Sequence, residues 1–331
     1  LDLDSSTEGS AQQSIIMLIF FFIFFNLFKQ FFDERFNLIL IILWFFNLFW
    51  FKIEVFLDKL STEITTEFLI FCFKKIARLD PINPHPPGIN ISIANYMDLT
   101  IVIPVKNEES NIGKMILTIQ KEIKNSYEIL FIDDFSNDQT YKIITEFQKT
   151  NPKINVIKNQ TEGLGQSVKN AINFSKGRYL SIVMCDGSDD LKDLNRYFQI
   201  ITQNKLDAVF GTRFHKDSTI TDYPRLKFFL NRFFNYFVSL IYFNKYNDYT
   251  NAFKIYRKEA LFKIEPIVSE SFNVFLELPL KIINRKMHYQ VIPINWYGRK
   301  KGLSKFKFKE LRSKYLFTLI YCFAEKILLL K

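Results

Sequence analysis

The chain has 331 residues, a formal net charge of +10 and three scattered cysteines, Cys72, Cys185 and Cys322, with no CxxC spacing. That excludes a disulfide framework and a structural zinc and points to reduced thiols in a cytosol-facing protein. Neither GxGxxG nor GxxxxGK[ST] occurs, which excludes the usual dinucleotide-binding and P-loop functions.

In chain order, the first feature is a Phe-rich region: 17 of the 38 Phe lie within the first 75 residues. Leu1 to Gln13 is polar and acidic, unlike the basic start of a secretory signal. Ile15 to Phe28 and Phe36 to Phe51 are almost wholly apolar, and the charges of Lys29 to Arg35 divide them. Each run is shorter than the roughly 20 residues that cross a bilayer. A hairpin of two short spans, a re-entrant pair, and one span with one interfacial helix all fit; a soluble core helix pair is the plain alternative. Membrane association is expected, with the number of spans open.

Ile53, Phe56, Leu57, Leu60, Ile64, Phe68 and Phe71 then recur at helical spacing, so residues 1–80 read as a hydrophobic, membrane-associated helical region. Pro81, Pro84, Pro86, Pro87 and Gly88 mark a linker over 81–96. Met97 opens a compact domain extending to about residue 310. Met97 is also a candidate translational start, in which case the Phe-rich stretch is an upstream extension.

From Leu99 the alternation is regular. Strands are expected at Leu99 to Val105, Tyr127 to Ile132, Ile154 to Ile157 and Leu180 to Met184. Helices are expected at Asn107 to Lys124, Asn137 to Lys149 and Gly165 to Ser175. This alternation predicts an α/β fold with a doubly wound, mostly parallel sheet. Ligands of such sheets sit beyond the carboxyl ends of the strands.

The polar residues fall at those ends. The first strand runs into Pro104-Val105-Lys106-Asn107-Glu108-Glu109, and the second into Asp133-Asp134-Phe135-Ser136-Asn137-Asp138. After the fourth come Asp186-Gly187-Ser188-Asp189-Asp190. Asn107 and Asp138 read alone as helix caps. In the fourth cluster, Asp186, Ser188, Asp189 and Asp190 put three carboxylates and a hydroxyl on a tight turn, a seat for Mg²⁺ or Mn²⁺. A turn followed by an Asp-capped helix is the alternative for that stretch alone. Three acidic clusters on one edge repel one another unless a cation or a hydrogen-bonding ligand sits among them.

Downstream, Phe228 to Phe243 and Tyr315 to Leu330 are richer in Phe, Tyr and Leu than a soluble surface tolerates, and both read as membrane-interface helices, the second within a C-terminal segment 311–331. Arg299 to Lys314 holds eight Lys or Arg against one Glu. A flexible Gly302 loop carrying Arg299, Ser304 and Lys305 suits a phosphate, and Phe306 and Phe308 among the lysines suit an anionic membrane surface. Single-stranded nucleic acid is the weaker alternative beside such apolar helices.

Seven segments in register, VIPVKNEE, FIDDFSND, GLGQSVKNAI, GRYLSIVMCDGSDD, FGTRF, NDYTNAFKIYR and GRKKGLSK, resemble the family 2 glycosyltransferases of GT-A fold. The likeness is to the dolichyl-phosphate mannosyltransferase and polyprenyl-phosphate glycosyltransferase branch, and it runs from Met97 to about Glu325. It implies transfer of a sugar, with inversion, from a nucleoside-diphosphate sugar to a polyprenyl or dolichyl phosphate at the cytosolic membrane face. A polysaccharide or lipid-linked glycan as acceptor is one alternative, and a non-catalytic membrane scaffold is another.

By the same resemblance Pro104, Asn107, Glu108, Asp133 and Asp134 bind the nucleotide. Asp186 is the first carboxylate of a DxD motif whose second position is Ser188, so that either Asp189 or Asp190 completes the cation site or the metal is held loosely through water. Arg213 approaches phosphate, with a surface Arg on an edge strand as its alternative. Asp248 belongs to the acceptor-side segment 248–253, where Asn251 replaces a common Gly. Glu277 sits at a family acidic position or on a helix surface, and Arg299, Ser304 and Lys305 hold the acceptor phosphate. His215 has no partner in the pattern and reads as structural or exposed.

Overall fold

The computed structural model of the chain describes residues 98–298 and 308–329. The expected hydrophobic region at 1–80, the linker at 81–96 and the acceptor-phosphate residues Arg299, Ser304 and Lys305 lie outside the described residues.

Four strands and three helices follow the expected alternation: β1 (Leu99–Val105), α1 (Glu109–Glu122), β2 (Tyr127–Asp133), α2 (Thr140–Thr150), β3 (Ile154–Lys158), α3 (Leu164–Phe174) and β4 (Tyr179–Ile182). β1 pairs in parallel with β2 and β4, and β2 in parallel with β3. The alternating residues of β1 serve two cores: Leu99, Ile101, Ile103 and Val105 pack with α1, while Val102 packs with α3. Burial on both faces explains why β1 reads as a continuous apolar run.

The second half is α4 (Leu191–Gln203), β5 (Ala208–Thr212), β6 (Ile220–Thr221), α5 (Arg225–Tyr242), β7 (Lys254–Arg257), α6 (Lys258–Lys263), α7 (Val274–Asn284), β8 (Tyr289–Pro293), β9 (Trp296–Tyr297) and α8 (Phe308–Leu329). The seven-stranded sheet has the order β3-β2-β1-β4-β7-β5-β8, and β6 and β9 form a separate two-stranded ribbon. Only β7 breaks the parallel pattern, running antiparallel between β4 and β5. After α5 the chain returns to the carboxyl edge, where Asp248 meets Arg213 just past β5. The next strand therefore enters the sheet from that edge and runs the opposite way, so its first residue, Lys254, lies at the ligand end.

α5 is turned inside out by soluble standards. Leu226, Phe229, Phe233 and Tyr236 are each 64–72% exposed, whereas Asn235 is fully buried. Asn235 is hydrogen-bonded to Asn231 and, at 3.3 Å, to Thr250 Oγ1, which ties the helix to the 248–251 turn. Among the described residues no helix is long and apolar enough to cross a membrane.

Candidate functional site

Beyond β1, Asn107 adopts a left-handed φ of 52°. Its N–H donates to Ser136 Oγ and its Oδ1 accepts from the Asn137 N–H, so it laces the β1 loop to the β2 loop. Glu108 donates its N–H to Thr140 Oγ1 and accepts from Asn111 at 2.6 Å. Pro104, in register with Ile132, completes this floor.

The Asp133-Asp134 pair divides its labour. Asp134 Oδ1 accepts from Asn159 Nδ2 at 2.7 Å and from the Gly163 N–H at 2.8 Å, tying the end of β2 to the start of α3. Gly163 sits at φ 142°, and a Cβ there would lie 2.6 Å from the Glu270 carbonyl, so only glycine fits the join. Asp133, by contrast, is buried with its Oδ1 unbonded among the described residues. A buried acceptor in that state costs about 1–3 kcal/mol unless a ligand donates to it.

At the end of β4 the four expected cation ligands separate. Asp190 accepts from the Lys192 N–H at 3.0 Å and is the N-cap of α4, so one of its carboxylate oxygens is engaged by the backbone. Asp186 Oδ1 accepts from the Ser188 N–H, and the Ser188 hydroxyl is buried without a hydrogen-bond partner among the described residues. Burial, reinforced by the Asp186 carboxylate, pushes Asp189 up to about 7, while Arg213 pulls the other way. No three His, Cys, Asp or Glu side chains among the described residues make a complete metal cage. Two carboxylates and an orphaned hydroxyl still fit Mg²⁺ or Mn²⁺, which bind through one or two carboxylates and take other oxygens from substrate phosphates.

Arg213 is a buried residue, not an edge-strand surface arginine, because β8 covers β5 on its outer side. Its Nε and Nη2 donate to the two oxygens of Asp248 at 2.9 and 2.6 Å, and its N–H donates to the same carboxylate. Burial disfavours the guanidinium, but Asp248 outweighs it and holds the Arg213 pKa above its ordinary value. Asp248 is thus the orienting partner of Arg213. Asn251 secures the same turn: its Oδ1 accepts from the Phe253 N–H and its Nδ2 reaches the Gly211 carbonyl.

Glu277 is not on a surface. It is buried in α7, paired with Lys281 at 3.1 Å, and accepts the Val268 and Ser269 N–H groups. His215 is exposed, 3.3 Å from Asp217.

Two groups of residues escape the sequence patterns. Lys254 is fully buried and donates to the carbonyls of Tyr249, at 3.1 Å, and Asn251. Burial pulls its ammonium down to about 7, with Asp248 opposing the shift and Arg213 adding to it. A lysine inside the apolar run AFKIY was the available signal. The other group is the β6–β9 ribbon, too short for periodicity to reveal.

Residues 100–264 match the family model described as Glycosyl transferase family 2. A dolichyl-phosphate beta-glucosyltransferase of Dictyostelium discoideum is 28% identical over 216 residues, 60% of this chain and 66% of that protein. The chain therefore spans just under two thirds of that relative's length. A polyprenol monophosphomannose synthase of Mycolicibacterium smegmatis is 23% identical over 64% of this chain and 82% of its own length. The fold is similar, with a TM-score of 0.51 and 14% identity, to glucosyl-3-phosphoglycerate synthase of Mycobacterium tuberculosis, whose crystals hold Mn²⁺ and UDP; 69% of this chain and 80% of that one are covered.

Proposed function

Because residues 100–264 form a glycosyl transferase family 2 domain, we propose that this chain moves a sugar, with inversion, from a nucleoside-diphosphate sugar to a polyprenyl or dolichyl phosphate on the cytosolic face of a membrane. The observation that carries this proposal is the arrangement of groups along one sheet edge. An unbonded Asp133 oxygen stands at β2, the Asp186–Asp189 turn at β4, and the Arg213–Asp248 pair beside β5. Relatives named for dolichyl-phosphate and polyprenol chemistry support the choice of acceptor.

The residues take the following parts. Asp133 accepts a hydrogen bond from the nucleoside, while Asp134 and Asn107 keep its loop in place. Asp186 and Asp189, with the Ser188 hydroxyl, would hold a divalent cation, which would supply positive charge to offset that developing on the departing diphosphate. Arg213, aimed by Asp248, presents its remaining N–H groups to phosphate. A phosphomonoester is already anionic near neutral pH, so the acceptor needs little help from a general base. Arg299, Ser304 and Lys305 would position it, lowering the barrier by fixing the attacking oxygen in line.

The exposed apolar stripe of α5 would rest on the bilayer, and Arg225, Lys227 and Arg232 on the same helix suit anionic headgroups. The hydrophobic region 1–80 would add to this attachment. Radiolabelled nucleotide sugars offered to the protein in vesicles containing polyprenyl phosphate should give a lipid-linked sugar. No lipid-linked product with any donor would contradict the proposal.

A further inference from the structure

The groups just described lie in a fixed order along the sheet edge. Asp133 at β2 comes first, the Asp186–Asp189 turn at β4 second, and the Arg213–Asp248 pair at β5 third, with β1 and β7 between them. On the proposed function, the nucleoside lies over the first and the diphosphate over the second. The sugar is joined directly to the distal phosphate, so it falls on the β5 side of the turn.

What stands there is aromatic. Tyr223 and Trp296 pack with ring centroids 4.8 Å apart, tilted by 50°. The Arg213 guanidinium carbon lies 5.9 Å from the centre of each ring. Both side chains are half-buried, so each keeps a surface open to a ligand. Phe228 supports Tyr223 edge-on from α5, at 5.7 Å.

The β6–β9 ribbon joins these rings to the cation turn. Tyr297 N–H donates to the Ser188 carbonyl at 2.9 Å, and Trp296 pairs in a β-bridge with Asp189. On the other strand, Trp296 N–H donates to Thr219 and Gly298 N–H to Thr221. Gly298 closes the ribbon tightly: a Cβ there would lie 2.6 Å from both Cβ and O of Asp222, itself at φ 55°. The ring positions are thus set by backbone hydrogen bonds to the same turn that carries Ser188 and Asp189.

A pyranose presents C–H groups on its faces and hydroxyls around its rim. Aromatic faces beside a carboxylate and a guanidinium match that distribution, the rings taking the faces and the charged groups the hydroxyls. We propose that Tyr223 and Trp296 form the wall against which the transferred hexose packs, and so take part in selecting the donor sugar. This inference rests on the proposed function, because it is the diphosphate at the Asp186–Asp189 turn that places the hexose.

The test compares a nucleoside diphosphate with its sugar conjugate: UDP against UDP-glucose, and GDP against GDP-mannose, by calorimetry with Mn²⁺ on the full chain. Trp296→Leu and Tyr223→Leu keep apolar bulk and remove the ring. Trp296→Leu should leave the affinity for the diphosphate unchanged while weakening the sugar conjugate roughly three- to tenfold, and Tyr223→Leu, which also removes a hydrogen bond to Arg213, should weaken the conjugate about threefold or more beyond its effect on the diphosphate. Trp296→Phe, which keeps an aromatic ring and leaves the Tyr223–Arg213 hydrogen bond in place, should retain the wild-type affinity for the conjugate. Equal loss for diphosphate and conjugate would mean that the rings only support the turn, and no loss for either would mean that they do not touch the sugar. Either result overturns the wall. If the wild type binds neither UDP nor GDP, the proposed function fails first and the inference falls with it.

Discussion

Asp133 and Asp134 are adjacent, chemically identical and both buried, yet only one has its hydrogen bonds made by the fold. Asp134→Ala removes one buried and one part-buried hydrogen bond and should cost about 1–3 kcal/mol of stability in urea denaturation. Asp133→Asn should leave stability nearly unchanged and weaken nucleoside diphosphate binding roughly tenfold. The reverse assignment of losses would contradict the division. Lys254 gives a pH test at the same scale. Its folded-state value, about 7, lies below its ordinary 10.5. A lysine depressed in this way contributes stability above its unfolded value and loses it as pH falls toward the folded value. The wild type should therefore gain on Lys254→Met as pH rises from about 7 to 10, by at most about 1.4 kcal/mol per pH unit. A difference that stays constant over that range would show that the burial of this ammonium does not depress it.

Elements differed in how far the sequence revealed them. β1 to β4 and α1 to α3 were legible within a few residues, because strands buried on both faces read as apolar runs and each helix shows one apolar stripe. β7 was not. It has four residues, begins with lysine and follows a long loop, so neither periodicity nor length marks it, and its antiparallel direction depends on where α5 returns the chain. Asp190 shows the same limit at the site. A carboxylate before a helix suits both a cap and a ligand, and the sequence alone does not reveal the hydrogen bond to Lys192 that engages one of its oxygens. The apolar character of Phe228 to Phe243 was legible as composition, whereas the buried Asn235 link to Thr250 was not. Spin labels carried at Phe229→Cys and Phe233→Cys should become accessible to oxygen and shielded from a water-soluble relaxation agent when anionic vesicles are added. Labels that stay in water would show that this stripe faces something other than lipid.

Across the described residues, the proposed function draws on one edge of one sheet. Parallel strands bring Asp133 and Asp186 to the same side, and the single reversed strand lets Lys254 and the 248–251 turn close the site from that side too. The exposed stripe of α5 begins beside Arg213, through Phe228 and Phe214, so the groups suited to phosphate and those suited to lipid meet at one place. The most direct measurement is transfer itself, with the full chain in vesicles containing dolichyl or polyprenyl phosphate and radiolabelled UDP-glucose or GDP-mannose. The account predicts a lipid-linked sugar that disappears in Asp186→Ala and on chelation of divalent cations. Product formation by Asp186→Ala at the wild-type rate, or no lipid-linked product from the wild type with any donor, would contradict it.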